Sequence, residues 1–257
     1  MSGTRGAQGR AFDFVIARGD GPARRRAQVL AGACDPERAL ADLARAELSD
    51  PSALARVLWI CEELRALRAP LARRALALLE ADQAPDGAFA PPDQGLEARL
   101  QRTGELGGIL ARSPFGRPEC LDAAGDFLAG HFTPDLFQDF QWRNIAAYTH
   151  FFANALHEAA DEVLQWCGRE LERGFRAQAF DPLAAARVFV LCDAHGVPGA
   201  QLEREELLLG LWTQQSPDGG FGDAADPAER VEATLQGLRA LIFLEGRVAL
   251  DSGAPAR

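Results

Sequence analysis

An all-α fold built from repeated helical hairpins is predicted by three observations. Ala, Leu, Arg and Glu dominate the chain after about residue 23. β-Branched residues rarely alternate with polar ones there, so the strand period is missing. The sequence also repeats itself at a spacing that suits a pair of helices. Together these predict about eleven helices of roughly 10 to 17 residues, joined by short loops.

The helix starts are marked in chain order. Asp35-Pro36, Asp50-Pro51, Asp181-Pro182 and Asp226-Pro227 each place a carboxylate where it can accept from the free N–H groups of a first turn. Proline at the first helical position loses nothing, because that N–H has no partner inside the helix. The second and third pairs open a duplication. Asp50-Pro51-Ser52-Ala53-Leu54-Ala55-Arg56-Val57 recurs 131 residues later as Asp181-Pro182-Leu183-Ala184-Ala185-Ala186-Arg187-Val188. The match reaches Cys61 and Cys192, and it runs backwards to pair Arg38, Leu40, Arg45 and Ala46 with Arg169, Leu171, Arg176 and Ala177. Gln83-Ala84-Pro85-Asp86-Gly87-Ala88-Phe89 matches Gln215-Ser216-Pro217-Asp218-Gly219-Gly220-Phe221 at a spacing of 132. The two repeated halves span about 38–168 and 169–250.

A finer period lies inside each half. His131-Phe132-Thr133-Pro134-Asp135-Leu136-Phe137 is a worn copy of the same loop, 48 residues after the first and 84 before the third. A unit of 42 to 48 residues is one helical hairpin, so 257 residues hold almost six. Repeats of this size stack into an open solenoid or close into a ring. The chain is read as one domain over 1–257, with 1–10 and 252–257 as flexible ends.

The repeated loop has its own physical logic. Pro-Asp-Gly makes a tight turn whose glycine can take a left-handed conformation. The Gln amide can tie off orphan carbonyls, and the Phe plugs the gap between hairpins. This Gln-x-x-x-Gly-x-Phe loop, with Asp-Gly-Gly-Phe-Gly at 218–222, resembles the repeat of the terpenoid cyclases and protein prenyltransferases, where the aromatic is usually Trp. The resemblance implies an α/α toroid in which the loop joins an outer helix to an inner one. It also implies a central cavity that takes an apolar substrate or intermediate. The family's chemistry is not matched. The chain has no Asp-x-Asp-Asp run and no adjacent Asp pair, and Cys192-Asp193-Ala194-His195 has the wrong order and spacing for the prenyltransferase zinc site. A core thiol beside a helix-end His is the reading there, and neither a metal nor a cofactor is expected.

The segment with least repeat character, 134–161, holds the one tyrosine, Tyr148. On a helix over 143–158, Ile145, Tyr148, Phe152, Ala155 and Leu156 share one side. His150, Asn154, His157 and Asp161 fall within about 60° of one another on the other. By analogy with the toroid this is an inner helix, whose polar face looks into the cavity with Asp135 and Asp139 near its mouth. His150, His157 and Asp135 are then the candidates for proton transfer. A wet face of an ordinary amphipathic helix explains the same stripe. The two imidazoles are about 10 Å apart at i, i+7, too far to ligate one ion. Arg56 and Arg187 occupy equivalent places in equivalent helices and form a candidate pair for a carboxylate or phosphate. Salt bridges to neighbouring helices are the alternative. Asn154, Tyr148 and Trp59 complete the candidate ligand-binding set; Trp142, Trp166 and Trp212 offer further aromatic surface or simply core.

Composition excludes several classes. All 27 basic residues are arginine, which removes lysine Schiff-base chemistry and the lysine phosphate loop. A net charge of −10 argues against a nucleic-acid or anionic-membrane binder. Five cysteines without a Cys-x-x-Cys pair suit buried thiols in a reducing cytoplasm. No apolar run approaches 18 residues, and none at the start has signal-peptide length, so a cytoplasmic protein without membrane insertion is expected. Two functions fit. One is an enzyme of small-molecule (specialised) metabolism with a cyclase-, isomerase- or transferase-type activity in the lumen. The other is a non-catalytic binding or scaffold protein for a hydrophobic ligand, a peptide or a pathway partner.

Overall fold

The computed structural model describes residues 6–43, 48–194 and 196–246, and these are helix and loop throughout. All four Asp-Pro pairs begin helices. Asp35 accepts from Glu37 N, Asp50 from Ser52 N and Ala53 N, Asp181 from Ala184 N, and Asp226 from Ala228 N. Each such cap is worth about 1 kcal/mol. Asp20 supplies a fifth by accepting from Ala23 N.

The chain divides into two compact units, Ala44–Glu203 and the paired segments Met1–Leu43 with Arg204–Arg257. The division cuts across the two sequence halves. The larger unit holds α4 (Pro51–Glu63), α5 (Pro70–Ala81), α6 (Leu96–Arg112), α7 (Pro118–Gly130), α8 (Trp142–Phe152), α9 (Ala160–Arg176) and α10 (Pro182–Cys192). Its middle is α8, which packs against α6, α9 and α10 and buries every residue from Asn144 to Phe152. Leu58, Leu106, Leu110, Phe137, Tyr148, Phe151 and Phe189 fill the core around it. The smaller unit holds α1 (Ala7–Arg18), α2 (Gly21–Leu30), α3 (Pro36–Leu40), α11 (Arg204–Gln214) and α12 (Pro227–Glu245), with α12 packed on α1 and α2.

Each unit contains one good copy of the repeated loop, and the two are docked alike. Gln83 Nε2 donates to Gly87 O at 2.9 Å and to Cys120 O of α7 at 2.8 Å. Gln215 Nε2 donates to Gly219 O and to Ala7 O of α1, both at 3.0 Å. Phe89 N and Phe221 N each donate to a threonine hydroxyl, Thr103 and Thr234, at 3.0 Å. Gly87 and Gly219 both have φ +91°, and a Cβ on either would stand 2.0 or 2.3 Å from Ala123 O or Arg10 O. Only glycine fits both the dihedral and the gap. Arg99 lies over Phe127 and Arg230 over Phe14, each also paired to the aspartate of its loop. Cys120, Ala123 and Phe127 on α7 thus correspond to Ala7, Arg10 and Phe14 on α1. The first helix of the chain serves the last loop as α7 serves the first.

Three expectations change. Ala7, Gln8 and Gly9, assigned to a flexible end, are buried in the first turn of α1. The worn loop copy at 131–137 does not repeat the Gln contacts: His131 Nδ1 lies 2.8 Å from Phe127 O, and a 3-10 turn over Pro134–Phe140 follows. The helix expected over 143–158 ends at Phe152. There Asn154 turns its side-chain amide onto His150 O at 2.7 Å, satisfying by side chain a carbonyl that a continuing helix would cap with backbone. The ends 252–257, the repeat positions Arg45 and Ala46, His195 and the Asp139 side chain lie outside the described residues.

Candidate functional site

Four helix ends of the larger unit meet around one carboxylate. Glu62, in the last turn of α4, has a side chain only 1% exposed. Its Oε1 accepts from Arg112 Nη1 at 2.6 Å, Arg112 being the last residue of α6. The same oxygen lies 3.5 Å from His150 Nε2, on α8. His150 is fully buried, and neither ring nitrogen has a hydrogen bond. Its ring lies 5.8 Å from that of Trp59 and over Gly108, where a Cβ would come within 2.5 Å of His150 Cγ. Asn154 Nδ2 ties α8 to α10 by donating to Leu191 O at 3.1 Å as well as to His150 O. Cys192 stands behind, its thiol directed at Thr149 O, and burial pushes that thiol up to about 12.

The outer layer of the cluster is looser. Asp193 Oδ2 lies 3.6 Å from Arg112 Nη2, and Asp193 Oδ1 lies 3.9 Å from Arg65 Nη2. Asp193 directly follows α10 and Arg65 stands two residues past α4, and both are left-handed, with φ 50° and 55°. In each case the next amide reaches back to close the helix end, Ala194 N to Phe189 O and Ala66 N to Cys61 O. This closing turn usually employs glycine. Glu62, Arg65, Leu67, Arg68, Arg112, Ser113, Pro114 and Asp193 line a cavity of about 390 Å³. Three arginines face two carboxylates there, leaving one net positive charge in a chain of net −10. The helix C-termini around it favour the arginines, and Leu191 O of α10 accepts from both Asn154 Nδ2 and Arg112 Nη1.

The sequence-predicted site residues are distributed differently from the single polar stripe. His150 and Asn154 belong to the cluster, His150 as a buried group and Asn154 as a tie between helices. Trp59 is half-buried against His150. His157 lies in the loop after α8, where its Nδ1 accepts from Ala159 N at 3.1 Å and its Nε2 is 3.3 Å from Asp126 Oδ1. It closes the start of α9 and is not on one face with His150. Asp135 is exposed in the 3-10 turn. Tyr148 is core: its hydroxyl donates to Leu128 O at 3.1 Å, and burial raises its pKa. Arg187 is half-buried, 5.2 Å over the Trp142 ring, whereas Arg56 is exposed on α4. Arg187, Arg143 and Arg102 act on Glu105, whose carboxyl burial pushes up and those arginines pull back down. Trp142 and Arg143 also line a second, polar cavity of about 430 Å³ with Glu97 and Gln101.

Sequence reasoning missed Glu62, Arg112 and Asp193. A signal for two of them was present, because the duplication pairing Cys61 with Cys192 pairs Glu62 with Asp193 one residue later. Arg112 has no such mark. Among the described residues no group of three His, Cys, Asp or Glu side chains is placed to hold a metal ion. No helix among them is long and apolar enough to cross a membrane. Comparison with protein-family models, with curated proteins and with solved structures found no match.

Proposed function

We propose that this chain is a small-molecule-binding protein that seats a ligand bearing a carboxylate or phosphate in the cavity above Glu62. The observation that carries the reading is the cavity's charge: Arg65, Arg68 and Arg112 outnumber Glu62 and Asp193 on an otherwise acidic protein. Arg68 is exposed and has no partner among the described residues, so its donors are available. Arg112 is held from below by Glu62, which fixes one edge of its guanidinium and leaves the other facing the cavity. A volume of about 390 Å³ is of the size that small-molecule sites have. The polar lining favours an oxyanion-bearing molecule over the wholly apolar one that the repeat resemblance implies. We further propose that the hairpins belong to an α/α toroid; the identical docking of the two Gln loops supports this.

The binding reading is tested by thermal unfolding with succinate, citrate and inorganic phosphate at constant ionic strength. Binding to the folded state alone raises Tm by mass action. At least one of these anions is expected to raise Tm, and Arg65→Ala/Arg68→Ala is expected to lose the rise. No rise with any of them, or the same rise in the variant, contradicts the reading.

His150 favours a second reading. A buried imidazole without hydrogen bonds costs stability, and sites retain such groups. In that reading Glu62 exchanges a proton with the bound molecule and His150 positions the carboxylate. Proton NMR of an incubated ligand would then show a product, and an unchanged spectrum ends it.

A further inference from the structure

We propose that Asp193 is a built-in stand-in for the ligand: its carboxylate occupies the seat between Arg112 and Arg65 that the incoming oxyanion takes, and binding exchanges one for the other. This rests on the anion-binding reading above. The two oxygens of Asp193 point at different guanidinium groups, at 3.6 Å and 3.9 Å. Charge-assisted N–H···O bonds are about 2.7–2.9 Å long, so neither contact is a formed hydrogen bond. On its other edge the same Arg112 holds Glu62 at 2.6 Å. One arginine therefore grips one acid firmly and faces the other loosely.

Exposure and ancestry agree with that division. The Glu62 side chain is 1% exposed, that of Asp193 51% and that of Arg65 78%. Glu62 and Asp193 stand at equivalent positions of the duplication, 131 residues apart. One copy has become a buried anchor, and the other a solvent-facing group that side-chain rotation alone can withdraw. Asp193 and Arg65 also keep side chains at left-handed positions where glycine costs less, and those side chains meet each other. Withdrawal of Asp193 leaves Arg112, Arg65 and Arg68 lining the cavity together, with Ser113 as a neutral donor and Leu67 and Pro114 as a short apolar wall. That set suits a small molecule with a terminal carboxylate or phosphate.

Isothermal titration of the full chain with succinate and, separately, with inorganic phosphate tests the exchange and distinguishes the two anion types. Asp193→Asn removes the charge while keeping a residue that tolerates the left-handed conformation. It is expected to tighten Kd by about 5-fold or more for whichever probe the wild type binds. Asp193→Gly, which also relieves the backbone, is expected to do the same, and Asp193→Glu, which keeps the charge, is not. Equal Kd in the wild type and both neutral variants overturns the stand-in while leaving the binding reading intact. Absence of heat with either probe in every one of these proteins overturns both.

Discussion

At the scale of single residues, Gly108 and His150 define each other. A methyl group at 108 would stand 2.5 Å from His150 Cγ and 2.7 Å from its Cδ2, and a buried ring between α4, α6 and α8 has little room to yield. Gly108→Ala is expected to destabilise the fold by about 1–3 kcal/mol through overpacking. Urea unfolding measures this, and an unchanged midpoint would show that the ring moves freely. The thiols give a second residue-scale test. Burial pushes Cys61 and Cys192 up to about 12, while Cys34 is only half-buried. A thiol reagent at pH 8 is expected to label Cys34 first and the four buried thiols, Cys61, Cys120, Cys167 and Cys192, only on unfolding. Rapid labelling of Cys192 would mean that the helix ends around Glu62 open readily. Residue identity was enough to single out His150, but not to show what it touches. Its surroundings come from Trp59, Gly108 and Glu62, on two other helices, and no local pattern joins those positions.

At the scale of elements, the Gln loops were the most legible feature of the chain, because turn chemistry is local. The Pro-Asp-Gly turn, the left-handed glycine and the amide that ties off carbonyls all follow from residues within seven positions. Gln83→Ala and Gln215→Ala each strip two carbonyls of a partner, and each is expected to cost about 1–3 kcal/mol in denaturant unfolding. The partner of the second loop was not legible. α1 lies more than 200 residues away in sequence and shares with α7 little beyond its spacing of contact residues. Deletion of α1 is accordingly expected to lower Tm well beyond what loss of an end would do.

The loop aspartates set an acid dependence. Hydrogen bonds from Arg99 and Arg230 hold Asp86 and Asp218 below the usual aspartate value of 3.8. A carboxyl whose folded pKa lies below its unfolded one stabilises fully above the unfolded value, and the contribution is lost as pH falls through the folded one. Unfolding free energy is expected to drop on acidification below pH 3.8, and less steeply in Asp86→Asn/Asp218→Asn. Both aspartates are nearly half exposed, so the difference is modest. The helix over 143–158 failed for an elemental reason too: periodicity continues past Phe152, but the Asn154 amide stops the helix there.

At the scale of the whole molecule, the all-α class follows from composition and repeat period, and the described residues are helix and loop throughout. The candidate site was only half legible at this scale. Duplication drew attention to Arg56 and Arg187, of which Arg187 is half-buried over the Trp142 ring and Arg56 is exposed on α4. It was the unlike pair, Glu62 and Asp193, that converged on a third residue, Arg112. Absence of lysine leaves arginine as the fixed cation, and Arg65, Arg68 and Arg112 gather three of 27 at one cavity. The most direct test is a crystal structure of the chain grown with the tightest-binding of succinate, citrate and phosphate. The anion is expected within hydrogen-bond reach of Arg112 Nη2 and of Arg65 or Arg68, with Asp193 turned away. An anion held elsewhere, with Asp193 still between the two arginines, would contradict it.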